Sequence, residues 1–213
     1  PLLPTIASNG PVCINENIVM TVIEQYTGGV ITYEWFNAAG MTIGTSATMI
    51  IPADDPMALS PYTVIVTVDG CISELSFPHP VKVNPLPLAI ATNNGPICVG
   101  DDVQLLAAEE ISGLYEWRDE TGAIVATGIN PIITGLTATT TYELTVTSLD
   151  GCVSDPLGYT TVVVNPLPVI SGVTGGGTYC EGLDVTLSAI NTETGVMSVV
   201  AYTWTGPNGF SYT

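Results

Sequence analysis

The chain has 213 residues, 46% of them apolar, and its 20 acidic side chains against two basic ones give a formal net charge of −18. So few cations exclude binding to nucleic acid phosphates or to anionic lipid headgroups, because both are held by clustered Lys and Arg. No apolar run approaches the roughly 20 residues of a membrane-spanning helix, so we expect no direct membrane insertion.

The chain begins with PLLPTIASNG, which contains no initiator Met, basic segment or apolar signal core. We therefore expect it to be a mature or excised piece of a longer protein. The charge of −18 is typical of a protein that stays soluble in salt, with its acids screened or paired with divalent cations.

An internal repeat organises the sequence. Residues 9–22, 94–107 and 176–189 each combine a Gly-containing turn, a Cys, a short acidic stretch and an alternating apolar segment. A Tyr-x-Trp strand follows each of them, and the first two copies continue through a D-G-C turn to the phrase VNPLP. The repeat predicts three domains: residues 1–84, residues 85–165, and a partial copy over 166–213 that is truncated or completed by another chain.

Each repeat is predicted to be all-β. In YTVIVTV, Tyr62, Val64, Val66 and Val68 fall on one face of a strand, and YELTVTS repeats this alternation from Tyr142. Short strands separated by NAAG, DETG and DG turns are typical of an antiparallel sandwich. We expect tandem immunoglobulin-like (Ig-like) antiparallel β-sandwiches that form a head-to-tail rod.

One Trp per repeat occupies the place of the core Trp on an Ig-type strand C. These residues are Trp35, Trp117 and Trp204. A packing role is favoured, because a core residue recurs once per repeat at a constant place. The alternative is a platform on which a carbohydrate ring stacks.

The five cysteines predict disulfides in an oxidising, extracytoplasmic compartment. Pairing within repeats joins Cys13 to Cys71 and Cys98 to Cys152. Pairing between repeats joins Cys13 to Cys152, and leaves Cys71, Cys98 and Cys180 for neighbouring segments. The within-repeat pairs would link opposite ends of a sandwich, but both patterns remain open. A Cys-based metal site is disfavoured, because the chain has no C-x-x-C and one His.

No set of residues indicates catalysis. The single histidine, His79, has no counterpart in the second repeat, and no G-x-S-x-G is present. The adjacent acids are predicted to be solvated loop charges rather than catalytic pairs; they are Asp54/Asp55, Asp101/Asp102, Glu109/Glu110 and Asp119/Glu120. Ca²⁺ is the one cofactor considered, at Asp54, Asp55, Asp101 and Asp102, although no D-x-[DN]-x-[DN]-G loop supports it.

The phrase VNPLP predicts a stiff linker at the end of each complete repeat. Pro halts a strand because it has no N–H for the ladder, and Pro-Leu-Pro continues in an extended form. The linker residues are Asn84, Pro85, Leu86 and Pro87, then Asn165, Pro166, Leu167 and Pro168. We expect both leucines to pack at the seam between repeats.

These motifs resemble a known group of repeats. The elements C-x-G-D-x-V-x-L from Cys98, Y-x-W, T-T-Y-x-L-T-V-T, G-C-x-S and V-x-V-N-P-L-P are similar to tandem Ig-like and PKD-like repeats of very large Bacteroidetes-type surface proteins. The resemblance implies export, often by type IX secretion, and a location outside the cell or on its outer surface. It also implies roles in adhesins, gliding motility or filaments.

The expected function is therefore a non-enzymatic, disulfide-stabilised stalk or shaft of a large bacterial surface adhesin or filament. Its partners would be neighbouring repeats of the same polypeptide. One alternative is a carbohydrate-binding module of a secreted multidomain hydrolase, with surface glycans as partners. Another is a subunit of a fibre of laterally associated identical chains.

Overall fold

The computed structural model describes residues 1–107, 112–191 and 201–213. Within them the regular structure is almost entirely β, in agreement with the sequence. In the first repeat the strands are β1 (Ile6–Ser8), β2 (Val12–Cys13), β3 (Asn17–Val22), β4 (Ile31–Phe36), β5 (Thr42–Gly44), β6 (Thr48–Pro52), β7 (Thr63–Val68), β8 (Cys71–Ile72) and β9 (Val83–Asn84).

The first repeat is a two-sheet sandwich. One antiparallel sheet has the order β1-β3-β6, and the other has the order β5-β4-β7-β8. Strand β2 pairs with β9 in parallel, so the end of the repeat lies beside the segment that carries Cys13. This arrangement of three and four strands is that of an Ig-like domain.

Alternation of side chains explains the core of the first repeat. On β7, Val64 and Val66 are fully buried and Ile65 between them is not. Val64 joins Ile18 and Met20 of β3 and Trp35 of β4 in one apolar cluster that includes residues from both sheets. Burying a side chain of this size contributes about 1.5–3 kcal/mol, so this cluster is the main stabilising feature of the sandwich.

The second repeat has the same order of elements. Its described strands are β10 (Ala91–Asn93), β11 (Ile97–Cys98), β12 (Val103–Ala107), β13 (Gly113–Arg118), β14 (Ile124–Thr127), β15 (Ile132–Ile133), β16 (Thr140–Ser148), β17 (Gly158–Val162) and β18 (Val164–Asn165). The sheets are β10-β12-β15 and β14-β13-β16-β17, and β11 pairs with β18 in parallel. The prediction of tandem Ig-like sandwiches is thus confirmed.

The third segment contributes two strand pairs among the described residues. Strand β19 (Ile170–Thr174) pairs with β20 (Ser188–Asn191), and β21 (Trp204–Thr205) pairs with β22 (Ser211–Tyr212). A short 3₁₀ turn, Pro207–Gly209, connects the last two strands. No helix among the described residues is long and apolar enough to cross a membrane.

Contacts within the chain define two compact units. The described residues of the first lie in Pro1–Ile90, Ala108–Glu116 and Leu144–Gly158, and those of the second lie in Ala91–Ala107, Trp117–Glu143 and Tyr159–Thr213. The segment Leu144–Gly158, which periodicity assigns to the second repeat, therefore belongs to the same compact unit as the first repeat. The boundaries at 84 and 165 remain a prediction from the repeat.

Candidate functional site: the disulfide-linked turns

The backbone around Cys13 is held by the end of its own repeat. The N–H of Val12 donates to the carbonyl of Lys82 at 3.1 Å, and that of Ile14 donates to the carbonyl of Asn84 at 2.9 Å. The N–H of Cys13 donates to the Glu16 carboxylate at 2.8 Å, which closes the turn into β3. Cys13 is therefore fixed beside Asn84, where the VNPLP phrase begins.

The backbone around Cys152 is held by a hairpin. Ser148 donates its N–H to the carbonyl of Cys152 at 2.8 Å, and its Oγ accepts the N–H of Cys152 at 3.1 Å. Two residues on, the buried Ser154 exchanges two hydrogen bonds with Val146 through its Oγ and its N–H. Gly151, at φ 87°, permits the tight three-residue loop.

The serine that follows each D-G-C turn is a structural residue that was not among the predicted sites. In the first repeat the Oγ of Ser73 accepts the N–H of Val66 at 3.0 Å, as that of Ser154 does for Val146. Both serines are buried. The recurrence of G-C-x-S in both repeats was the signal that could have identified them.

Cys13 and Cys152 form a disulfide across 139 positions of sequence, with Cα atoms 5.7 Å apart. This distance lies within the ordinary range for such bonds. The bond joins a turn of the first repeat to a turn of the second, and both cysteines belong to the first compact unit. Of the two patterns that the sequence left open, the structure contains the one between repeats.

The within-repeat pairs, Cys13–Cys71 and Cys98–Cys152, are not formed. From Cys71 the chain passes His79, which pairs with Tyr62 at the start of β7, and reaches Asn84 beside Cys13. Cys71 itself pairs with Val68, at the far end of β7. A strand of six residues spans about 20 Å, and a disulfide tolerates Cα separations of only about 7 Å.

A salt bridge lies beside the disulfide. Lys82, the single lysine of the chain, places Nζ 3.4 Å from Asp150 of the D-G-C turn. Both side chains are more than half exposed, so the pair contributes about 0–1 kcal/mol. These two residues are 68 positions apart, so no local pattern indicates that they meet.

Three cysteines have free thiols. Cys71 and Cys180 are exposed, and Cys98 is partly buried.

Asp69, in the turn before Cys71, accepts hydrogen bonds from the N–H groups of Val30 and Gly29, and these bonds lower the pKa of its carboxyl group. The Asp69 carboxylate therefore binds backbone groups of its own repeat, whereas its counterpart Asp150 in the second repeat forms a salt bridge with Lys82 of the first.

Two of the three tryptophans are completely buried. The indole N–H of Trp35 donates to the carbonyl of Ser46 at 2.8 Å, and that of Trp117 donates to the carbonyl of Gly128 at 3.0 Å. Each ring thus has its polar atom satisfied inside the protein, and neither is accessible for stacking on a sugar. Trp204 is partly exposed.

The two copies of the linker phrase differ in burial. In the first copy Asn84 and Pro87 are buried, Leu86 is half-buried and Pro85 is exposed. In the second copy Asn165 is half-buried, and the following residues Pro166, Leu167 and Pro168 are exposed. The packing of both leucines at a seam remains a prediction.

The aspartates considered for Ca²⁺ mostly bind backbone N–H groups. Asp55 accepts from Met57 at 2.8 Å, Asp101 from Cys98 at 3.3 Å and Asp102 from Gly135 at 3.0 Å, while Asp54 is exposed. In the described part of the chain, no three or more His, Cys, Asp or Glu side chains are grouped to hold a metal ion.

The other polar candidates have local partners. The Thr121 hydroxyl donates to Asp119 and lowers the pKa of that carboxyl group, and Glu120 accepts the N–H of Thr141 at 3.0 Å. The Nε2 of His79 lies 2.9 Å from the Oγ of Ser8. Glu109 and Glu110 lie outside the described residues. Most of the described acids among these candidates accept backbone N–H groups, and the geometry does not gather them into a site.

Known proteins are similar to this chain at the level of the domain. Residues 87–166 match the sequence model of a family described as "Ig-like domain CHU_C associated". No curated protein matches the sequence. The family match is typical of a non-catalytic module.

Similar solved structures have low sequence identity. The fibronectin(III)-like modules of Clostridium thermocellum CbhA are 11% identical, over 76% of this chain and 95% of that one, with a TM-score of 0.44. Three N-terminal domains of the bacteriophage RB49 capsid protein Hoc are 16% identical, over 99% and 78%, with a TM-score of 0.42. Murine CEACAM1b is 12% identical, over 77% and 100%, with a TM-score of 0.38.

The fold and the disulfide together define the class of this protein. It is built of Ig-like domains of an extracellular type, and a disulfide joins turns of two successive repeats. Disulfides persist mainly in oxidising compartments outside the cytosol.

Proposed function

We propose that this chain is a non-enzymatic structural segment of a large bacterial surface adhesin or filament, in which Ig-like repeats form a stiff shaft. The observation that carries the proposal is the Cys13–Cys152 disulfide between repeats. A bond within one domain stabilises that domain alone, whereas a bond between neighbours also limits how they move. The proposal places the protein on the cell surface, with neighbouring repeats as its partners.

The position of the disulfide supports a mechanical role. Cys13 lies beside Asn84, so the bond anchors the second repeat next to the linker phrase that leads into it. A tension applied to the ends of the chain reaches residues 13 and 152 first, and the covalent bond carries it past the intervening segment. The segment between residues 13 and 152 can then remain folded under load, while β1, β17 and β18 lie outside the bridged segment.

Stiffness is tested by replacing Pro85–Leu86–Pro87 with Gly-Ser-Gly and measuring small-angle scattering in oxidised and reduced protein. Gly-Ser chains are flexible, whereas Pro-rich segments are semi-rigid. We expect reduced variant protein to have the broadest distribution of sizes, and the disulfide to restrict that distribution in oxidised protein. Circular dichroism controls for folding of each repeat. An oxidised native chain as broad as the reduced variant would contradict the proposal.

A second candidate is the fibre of laterally associated chains, favoured by the third segment. Val185 and Leu187 align with Val103 and Leu105, which are 1% and 0% exposed, yet they are themselves 47% and 43% exposed. Their counterparts pack in the core of the second repeat, so both residues are suited to pack against a further segment, and in this second candidate a neighbouring chain supplies it. Apolar surface of this kind is a common site of association.

The fibre predicts association that depends on these residues. Replacing Val185 and Leu187 with Thr should abolish concentration-dependent growth in mass, measured by light scattering or mass photometry under reducing conditions. Exposed Ile124 and Val125 of the second repeat offer a matched control, since the same replacement there should leave the mass unchanged. A native chain that stays monomeric at all accessible concentrations would exclude this fibre.

A further inference from the structure

Cys98 occupies in the second repeat the place that Cys13 occupies in the first. Strand β11 pairs in parallel with β18, so Cys98 lies opposite Asn165 as Cys13 lies opposite Asn84. The N–H of Cys98 donates to the Asp101 carboxylate at 3.3 Å, as that of Cys13 donates to Glu16. The backbone that presents the bonded cysteine is therefore repeated around the free one.

Cys71 is the counterpart of Cys152. Each precedes by two residues a buried serine that accepts an N–H from the adjacent strand, Ser73 or Ser154. The Cys71 turn is one residue shorter, with Asp69 and Gly70 both at positive φ, as a two-residue hairpin requires. Cys71 nevertheless has the same strand register as Cys152, and its thiol is exposed.

The surface around Cys98 is open. A shallow depression of about 670 Å³ lies over this turn and is lined by Cys98, Gly100, Asp101 and Asn165 among others. Asn84, the counterpart of Asn165 in the first repeat, is 3% exposed, whereas Asn165 is half-buried. The depression thus offers both a free thiol and space for a small turn.

We propose that this depression is an acceptor site for the D-G-C turn of another Ig-like repeat, which forms a disulfide with Cys98 equivalent to Cys13–Cys152. The partner is a short hairpin turn with a solvent-accessible thiol, and the Cys71 turn of a second copy has this chemistry. The inference deepens the proposed function, on which it rests, because it supplies the chemistry by which a disulfide-linked shaft extends from repeat to repeat. Pairing unlike surfaces also makes the contact directional.

The covalent step proceeds by thiol–disulfide exchange with a low-molecular-weight disulfide such as oxidised glutathione. The Cys71 thiol first exchanges with this oxidant, forming a mixed disulfide and releasing one glutathione thiol. The thiolate of Cys98 then attacks the Cys71 sulfur of the mixed disulfide and expels the second glutathione as thiolate. The two protein thiols lose two electrons and two protons, and oxidised glutathione is reduced to two thiols.

At the acceptor site the position equivalent to Lys82 is not basic. Val163 replaces Lys82 here, so the salt bridge seen at the formed disulfide has no equivalent. Asp101 and Asp102 make the depression acidic, and the Asp of an incoming D-G-C turn adds a like charge. Because salt screens such repulsion, we expect pairing to become faster as ionic strength rises.

The test uses two variants of the whole 213-residue chain, each with one thiol of the proposed pair. One carries Cys71→Ser and Cys180→Ser, the other carries Cys98→Ser and Cys180→Ser, and both keep the Cys13–Cys152 bond. They are incubated in a glutathione redox buffer, separately and mixed in equal amounts. We expect the mixture to yield a heterodimer far above the share from random pairing, with Cys71 and Cys98 in one crosslinked peptide by mass spectrometry.

A third variant, with Cys71→Ser and Cys98→Ser, keeps only the exposed Cys180 thiol and provides the matched control. Mixed with the variant that carries Cys71, it should form heterodimer only at the random level. Homodimers as abundant as the Cys71–Cys98 heterodimer, or equal reactivity of Cys180 and Cys98, would overturn the inference. Monomer stiffness in scattering is measured without this crosslink, so a failure of the crosslink and a failure of the proposed shaft are distinguishable.

Discussion

Reduction of the Cys13–Cys152 disulfide is expected to lengthen the fully stretched chain by roughly 480 Å in a single-molecule pulling experiment. The bond spans 139 positions, and each residue of an extended chain adds about 3.3–3.6 Å. While the bond is intact, the intervening residues cannot be drawn out between the pulling points. The measurement is the contour length of the same chain, attached at its ends, before and after addition of a reductant.

The same bond should also raise the free energy of unfolding. In the chain-entropy model, a loop of this size corresponds to about 5 kcal/mol at 25 °C, an upper figure because folded-state strain subtracts from it. We expect Cys13→Ser and Cys152→Ser to lower the thermal midpoint to the same extent as reduction. Cys180→Ser, which removes an exposed free thiol, is the control. A contour length and melting curve unchanged by reduction would contradict the mechanical role of the bond.

Replacement of Trp35 by Ala is expected to cost about 3–5 kcal/mol of stability in the first repeat. The ring is fully buried in the apolar cluster, and its N–H is bound by the Ser46 carbonyl. Truncation therefore leaves both a cavity and a carbonyl without its donor. The measurement is urea unfolding followed by circular dichroism, since fluorescence changes when the Trp is removed.

Two further variants make this result specific. Trp204→Ala should cost clearly less, because Trp204 is partly exposed and its surroundings can rearrange. The loss of stability for Trp35→Phe should lie between zero and the loss for Trp35→Ala, since Phe fills most of the cavity but supplies no N–H. Equal losses for Trp35→Ala and Trp204→Ala would show that burial does not set the importance of this position.

The sequence was sufficient to predict the fold class and the faces of the strands. A side-chain period of two is a local property, so the alternation in β7 and β16 places Val64 and Val66 on one face of their strand and Leu144 on one face of its own, and all three are buried. Two further features can also be predicted from a few residues each. The D-G turns are predicted because Asp and Gly accept positive φ, and the repeat is predicted because the same motifs recur in the same order along the chain.

Only the tertiary structure decided which cysteines bond and what the acidic residues do. Every cysteine pattern considered was compatible with the spacing in the sequence, and the choice depends on which turns come within about 7 Å of each other. Likewise, nothing in the sequence distinguishes Asp69, Asp101 and Asp119 from loop acids that contact only solvent. In the structure each of them accepts backbone N–H groups whose positions are set by the folded chain. Local patterns encode strands and turns, whereas contacts between residues 139 positions apart exist only once the whole chain has folded.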